Sequence, residues 1–387
     1  MTCRELFIPA GIRWTEKTVY NENMCGRSGP DMICIDGSFG EGGGQILRTS
    51  LALSCTLGKP VSITNIRLAR KRPGLQPQHL AAINAAAAIA RAEVRGAELS
   101  STAIRFLPNR TSHGTYHFDV AEKKGSAGST SLVLQTILLP LCFADRASSV
   151  FVKGGTHVPW SPTFHYLQSI VAPVLSCLGA RVEFSIASWG WYPLGGGQVS
   201  ARIVPTQQLL PLTLTDRGRL LRISGVSAVS NLPDHIAVRQ RDRALAILNS
   251  QGNDASIELQ SAPSAGKGSF LFLAAEFENI SAGFGSLGVI GKRAEEVADE
   301  ACNGLLSHLG AQGALDPHLA DQVVNWLAFS QGPSEFTTSC VTRHLLTNLR
   351  VVQQFMDIDV QVEGSEGEQG RVLIRPPVRP NQMHGRE

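Results

Sequence analysis

The chain has 387 residues, 43% of them hydrophobic and 17% charged, with a formal net charge of +3 and a pI near 8.4. That length favours two folding units over a single core, and the composition excludes a disordered or fibrous chain. So small a net charge also excludes a nucleic-acid-binding tail, so any basic site must be local.

Residues 1–30 lack the apolar core of a signal peptide. They read as a poorly patterned extension, with Met24 and Met32 as alternative starts. The first patterned segment is the run Asp36 to Arg48, in which five glycines fall within eight residues around one carboxylate, Glu41. Apolar residues on both sides (Ile33, Ile35, Leu51, Leu53) make it strand, glycine loop, helix. Glycine lets a backbone approach a bulky anion, and a helix N-terminus behind such a loop attracts one. A carboxylate among anion-binding groups makes most sense holding a divalent cation. A tight structural turn is the competing reading.

The elements that follow repeat. The first copy has helix 45–57, strand 61–66, a basic Pro-Gly loop 67–78, an alanine-rich helix 79–91 and strand 103–106. The second has the loop Gly125-Ser126-Ala127-Gly128, helix 130–144, strand 149–153, loop 154–162, helix 165–178 and strand 181–186. Its apolar run 132–144 is too short to span a membrane and is broken by Gln135 and Pro140. Trp189 to Gly197 reads as a glycine-rich turn between strands. Residues 211–311 fall outside the repeat. They carry strand 220–224, helix 234–248, strands 255–260 and 269–278 and helix 292–309, with 261–268 and 281–291 as the expected mobile loops. The third copy follows, with helix 319–330, strand 335–340, helix 344–356 and strands 358–362 and 372–375. His79, His165 and His344 all stand at the start of the second helix of their copy.

The expected fold is therefore α/β (α+β). Three βαβαββ repeats, 31–210 and 312–387, form a large discontinuous domain around a shared core. Residues 211–311 form a smaller inserted α+β domain. Eight cysteines (Cys3, Cys25, Cys34, Cys55, Cys142, Cys177, Cys302, Cys340) are scattered without a C-x-x-C pair. That argues against zinc and suits a reducing compartment, hence a cytoplasmic protein.

Arg67, Arg70, Lys71 and Arg72 crowd one loop beside the glycine run, where guanidinium groups grip phosphates in bidentate pairs. Alone, such a run reads as a solvated surface. Gln135 alone reads as a core amide, His344 as a structural histidine, and Asp316 to Gln322 as helix capping. No Walker motif is present.

Together these segments resemble the RNA 3′-terminal phosphate cyclases, from about residue 31 to 375. The resemblance is carried by GEGGGQILR at 40–48, R-x-x-R-x-x-PG at 67–74, QHL at 78–80 and GSAGSTSLVLQT at 125–136. It continues with YPxGGG at 192–197, LADQ at 319–322 and HLLTN at 344–348. It implies a ligase that uses ATP to turn an RNA 3′-phosphate into a 2′,3′-cyclic phosphodiester. The route would be a histidine–AMP intermediate and an adenylylated RNA end, with AMP and pyrophosphate released. In those terms His344 is the nucleophile and Glu41 holds Mg²⁺ or Mn²⁺. Arg48, Arg67, Arg70, Gln78 and His79 bind phosphate or RNA. Gln135, Pro162, His318, Leu319, Ala320, Asp321 and Gln322 bind ATP. The partner is an RNA with a 3′-phosphate end; no membrane is involved, and a homodimer is left open. Trp189 replaces a usual arginine or histidine, and His318 a frequent tyrosine.

Two alternatives remain at this stage. A non-catalytic cyclase-like ribosome-assembly factor would keep the fold and lose the histidine and several basic residues. An enolpyruvyl transferase shares the repeat design but not the HLLTN and LADQ segments.

Overall fold

The computed structural model describes residues 12–13 by backbone alone, 32–120 and 127–377. The rest of the 1–30 extension, Gly125 and Ser126 of the second glycine loop, and the basic tail beyond residue 377 lie outside the described residues.

A short strand, β1 (Ile12–Arg13), precedes the first copy. That copy comprises β2 (Ile33–Asp36), α1 (Gly44–Leu57), β3 (Val61–Thr64), α2 (Pro77–Ala90), β4 (Glu93–Arg95) and β5 (Ile104–Leu107). The second has β6 (Thr115–Asp119), α3 (Thr130–Cys142), β7 (Ser148–Gly154) and a broken helix. The helix runs from α4 (Phe164–Tyr166) through a π turn (Leu167–Val171) into α5 (Ala172–Cys177), before β8 (Arg181–Ser188) and β9 (Gly197–Val204). Then come β10 (Thr213–Leu214), β11 (Leu220–Ser230), α6 (His235–Ser250), β12 (Ala255–Ser261), β13 (Gly268–Phe277), β14 (Ser281–Leu287) and α7 (Ala294–Gly310). The chain closes with α8 (Pro317–Leu327), β15 (Ser334–Thr338), α9 (Arg343–Phe355), β16 (Asp359–Glu363) and β17 (Gly370–Arg375).

The protein is α/β, and three of its four sheets have one topology. Strand orders are β2-β3-β5-β4, β6-β7-β9-β8 and β10-β15-β17-β16, with β1 added beside β16. In each, the first two strands are parallel and the rest antiparallel. One buried cluster joins helices and strands of all three, including Leu51, Phe106, Ile137, Leu327, Phe336 and Val352. No single copy could cover its own sheet face this way.

β10 departs from the sequence reading. Thr213–Leu214 pairs with β15 as the first strand of the third copy, so the intervening segment interrupts that copy rather than preceding it. A two-residue strand is too short to show period-2 alternation. Residues 281–291, expected as a mobile loop, also differ: β14 pairs with β13 over seven residues. Gly283 and Gly285 disguise it in sequence. A Cβ at Gly283 would stand 2.6 Å from Ile170, and one at Gly285 3.0 Å from Phe270, so the glycines admit close packing.

The β12-β11-β13-β14 sheet with α6 and α7 has its own core, built on Ile223, Leu271, Leu273, Val297 and Leu305. It is seated on the second copy by stacked rings. Trp189 lies flat on His157 at 3.9 Å, and Phe270 meets the same imidazole at 4.8 Å. His157 is locked by Thr156 Oγ1 (2.8 Å) and His165 Nδ1 (2.9 Å). The Trp189 backbone N–H donates to the Pro263 carbonyl (2.7 Å). A flat indole over a buried imidazole extends the packed surface where a charge would need a partner. Among the described cysteines, Cys55, Cys142, Cys177, Cys302 and Cys340 are free, and Cys34 is disulfide-bonded. No helix among the described residues is long and apolar enough to cross a membrane.

His308 of α7 is buried between Phe277 and Phe284, and neither ring nitrogen has a hydrogen-bond partner. Burial, reinforced by the nearby Arg217, brings its imidazole down to about 4. The unfolded chain takes up a proton near 6.5, so between pH 6.5 and about 4 it binds more protons at this site than the folded chain does. Stability from His308 is complete above that window and is lost as pH falls through it. In urea unfolding, His308→Leu is therefore expected to gain on wild type by up to about 1.4 kcal/mol per pH unit across the window. A constant difference from pH 7 to 4 would refute this.

Candidate functional site

The three copies present their second helices in the same way: a loop leaves a central strand and the helix begins with a capping residue. In α9 the cap is Thr342, whose Oγ1 accepts from the Leu345 N–H (2.9 Å). In α4 it is Thr163, and in α2 it is Gln76. His165 and His344 thus occupy the second helical position, whereas copy one has Gln78 there and His79 one place later. In the second copy that position is committed to packing, since His165 holds His157. Only in the third copy is the histidine solvent-exposed at an open corner.

The glycine loop lies against that corner. The Glu41 N–H donates to Thr347 Oγ1 (3.1 Å), one turn beyond His344. Side chains at Gly43 and Gly44 would collide with the Glu41 carboxylate and with His79 Nε2, at 2.0 and 2.4 Å. The absence of Cβ atoms is what lets these groups converge. Arg70 forms an ion pair with Glu41 Oε1 and donates to the Glu41 carbonyl (2.6 Å). Glu41 Oε2 is buried and has no hydrogen-bond partner.

His79 accepts from the Gln76 N–H at Nδ1 (2.9 Å), which leaves Nε2 as the protonated nitrogen, aimed at the start of α1. Burial, with Arg48 and Arg67 adding, lowers its imidazole to about 3, so it is a neutral N–H donor at pH 7. Burial brings Arg48 down to about 10, with Glu41 opposing, and it remains a cation at pH 7. Arg67 turns into its own loop, donating to the carbonyls of Arg72 (2.7 Å) and Gly74 (3.1 Å). Gln78 faces the second copy, where a side chain at Gly128 would meet its Cβ at 3.3 Å. The His344 imidazole is held below its ordinary range by partial burial, with Arg48, His318 and Arg70 adding and Glu41 opposing. Neutral at pH 7, it keeps a free lone pair.

α9 also packs on α8, which α3 meets through a pair of amides. Gln135 donates to Gln322 Oε1 (2.6 Å), and Gln322 donates to the His318 carbonyl (2.9 Å). The His318 ring lies edge-on to Tyr166 at 6.2 Å, and half-buried Pro162 sits in the loop that leads to that helix. Two members of the 318–322 run face inward: Leu319 and Ala320 are fully buried in the core, so their side chains frame the run rather than line a pocket. Asp321 is also mostly buried. Its carboxylate accepts from the Thr342 hydroxyl, and burial raises it to about 8. It therefore holds the cap of the helix that carries His344.

Thr342, Thr347, Asn348 and Thr49 escaped sequence reasoning as site residues. Thr49 donates to Asn348 Oδ1 (2.7 Å), and Asn348 donates to the Asp321 carbonyl (2.7 Å), so α1, α8 and α9 are clamped at one buried amide. The Thr-Asn pair of the HLLTN segment was the available signal.

No cluster of three or more His, Cys, Asp or Glu side chains able to hold a metal occurs among the described residues. A divalent cation here would rest on the orphaned Glu41 oxygen and on phosphate oxygens of a bound nucleotide. The donor set fits such an ion, because a hard cation accepts oxygen ligands from substrate as readily as from protein.

Residues 39–362 match the family described as RNA 3′-terminal phosphate cyclase. The chain is similar to the RNA 3′-terminal phosphate cyclase of Methylococcus capsulatus, 44% identical over 89% of this chain and 96% of the relative. The protein of that name from Gloeothece citriformis is 42% identical over 86% of this chain and 96% of its own. That from Pyrobaculum neutrophilum is 42% identical over 86% and 95%. A family match over most of the length, with relatives covered almost end to end, leaves one conclusion: the chain belongs to the RNA 3′-terminal phosphate cyclase family.

Proposed function

We propose that this protein uses ATP to convert an RNA 3′-terminal phosphate into a 2′,3′-cyclic phosphodiester, with His344 as the nucleophile. The observation that carries this reading is an exposed histidine at a capped helix start, set against the glycine loop that carries Glu41 and within the field of Arg48, Arg70 and His318. In the first step a ring nitrogen of His344 attacks the α-phosphorus of ATP. A P–N bond forms, the bond to pyrophosphate breaks, and two smaller barriers replace one large one. In the second step an RNA 3′-phosphate oxygen attacks the same phosphorus and His344 leaves. In the third the terminal 2′-OH attacks the activated phosphorus, loses its proton and expels AMP, helped by proximity.

Arg48 and Arg70 would hold the phosphates, His79 would donate from Nε2, and Arg67 and Gln78 would shape that side. Gln135, Pro162, His318 and Gln322 would hold the nucleotide, and Asp321 would position α9. Mg²⁺ or Mn²⁺ bound at Glu41 would supply charge neutralisation on the triphosphate. On this reading the three repeats, β10 included, form the catalytic part, and the sheet of β11 to β14 with α6 and α7 is accessory.

The test uses two RNAs that differ only at the terminal 2′ position. With ATP and a divalent metal, the ribose end is expected to become phosphatase-resistant with stoichiometric AMP. The 2′-deoxy end should stop as adenylylated RNA. If a ribose 3′-phosphate stays phosphatase-sensitive while ATP is consumed, the reading is wrong.

A further inference from the structure

α9 has two flanks near its N-terminus. One meets α8 through Asp321, Thr342 and Asn348, on the side where Gln135, His318 and Gln322 gather. The other carries Arg343, Leu346, Thr347 and Arg350, spaced i, i+3, i+4, i+7 on one helical face. With Phe39, Gly40 and β16 this face lines an open groove of about 180 Å³. Leu346, Val360 and Val362 are its apolar lining, and Arg343 stands on its wall in an ion pair with Glu366 (2.9 Å) of the same lining. Phe39 is 42% exposed, a large aromatic left open beside the glycine loop.

The groove touches the reactive corner at three points. Gly40 is next to Glu41, and Thr347 accepts the Glu41 N–H. Arg343, on its wall, immediately precedes His344. We propose that this groove takes the heterocyclic base of the RNA's terminal nucleotide, stacked on Phe39; the proposal rests on the cyclase reading above. A reaction between ATP and RNA needs both substrates at one nucleophile, and the α8 flank already holds the nucleotide-type residues. The apolar lining suits the base, and exposed Phe39 offers it a ring to stack on. Stacking on an aromatic ring is tolerant of base identity, so the subsite recognises a nucleotide end rather than a sequence.

The test compares 3′-phosphate RNAs whose terminal nucleotide is base-bearing or abasic, with protein adenylation by α-labelled ATP followed in parallel. In wild type the abasic end is expected to raise KM about tenfold, the scale of one base–aromatic stack. In Phe39→Ala the base-bearing RNA should fall to the abasic level, and in Phe39→Trp the preference should return. Equal KM values for the two RNAs in adenylating wild type would overturn the assignment. So would an undiminished abasic penalty in Phe39→Ala, the result expected if this chain or a second copy fills the groove. Wild type that takes no label from ATP would instead overturn the cyclase reading itself.

Discussion

His344→Ala is expected to lose at least about 10⁴-fold in turnover and to retain no protein-bound AMP. Removing a nucleophile from a covalent mechanism leaves only binding and positioning behind. The wild-type label should be acid-labile and alkali-stable, as a phosphoramidate is. The substitution is clean because the side chain is exposed and makes no hydrogen bond among the described residues, whereas the cap at Thr342 and the clamp at Asn348 are untouched. Its melting temperature should therefore stay close to wild type, as for other exposed positions. A labelled His344→Ala protein would remove this residue from the nucleophile's role.

Glu41→Gln is expected to slow adenylation about 10²–10³-fold, the usual cost of losing one group that stabilises transition-state charge. The metal midpoint should move to higher concentration. The carboxylate has two oxygens with different fates, one paired with Arg70 and one buried without a partner. A purely structural Glu41 would act through the pair alone, and a pair in which Arg70 is 43% exposed contributes little to stability. Arg70→Ala separates the two cases. If it matches Glu41→Gln in rate, and neither variant shifts the metal midpoint, Glu41 holds only the arginine.

The copies contribute different residues to this corner. Copy one brings Glu41 and the arginines, copy two brings Gln135 and packs its own histidine away, and copy three opens its histidine to solvent. The equivalence of the corners follows from one sheet topology repeated three times. What differs is whether the second helical position is covered, and the stacked Trp189–His157 pair covers it only in copy two.

The repeat, the long helices and the glycine run could be read from the chain because their signals are local: hydrophobic period, capping residues and turn chemistry all act within a few positions. The motif residues came with them, and the family resemblance was legible from those segments. Tertiary structure alone decided which side chains meet. Glu41 and Thr347 are 306 residues apart, and Thr49 and Asn348 are 299 apart. Asp321 sat in a segment read as nucleotide-binding, yet its carboxylate turned inward to the cap of α9. Strand β10 pairs with β15, which lies beyond an intervening unit of about a hundred residues. Contacts across such separations leave no periodic trace in sequence, because their energy is released only when distant elements pack.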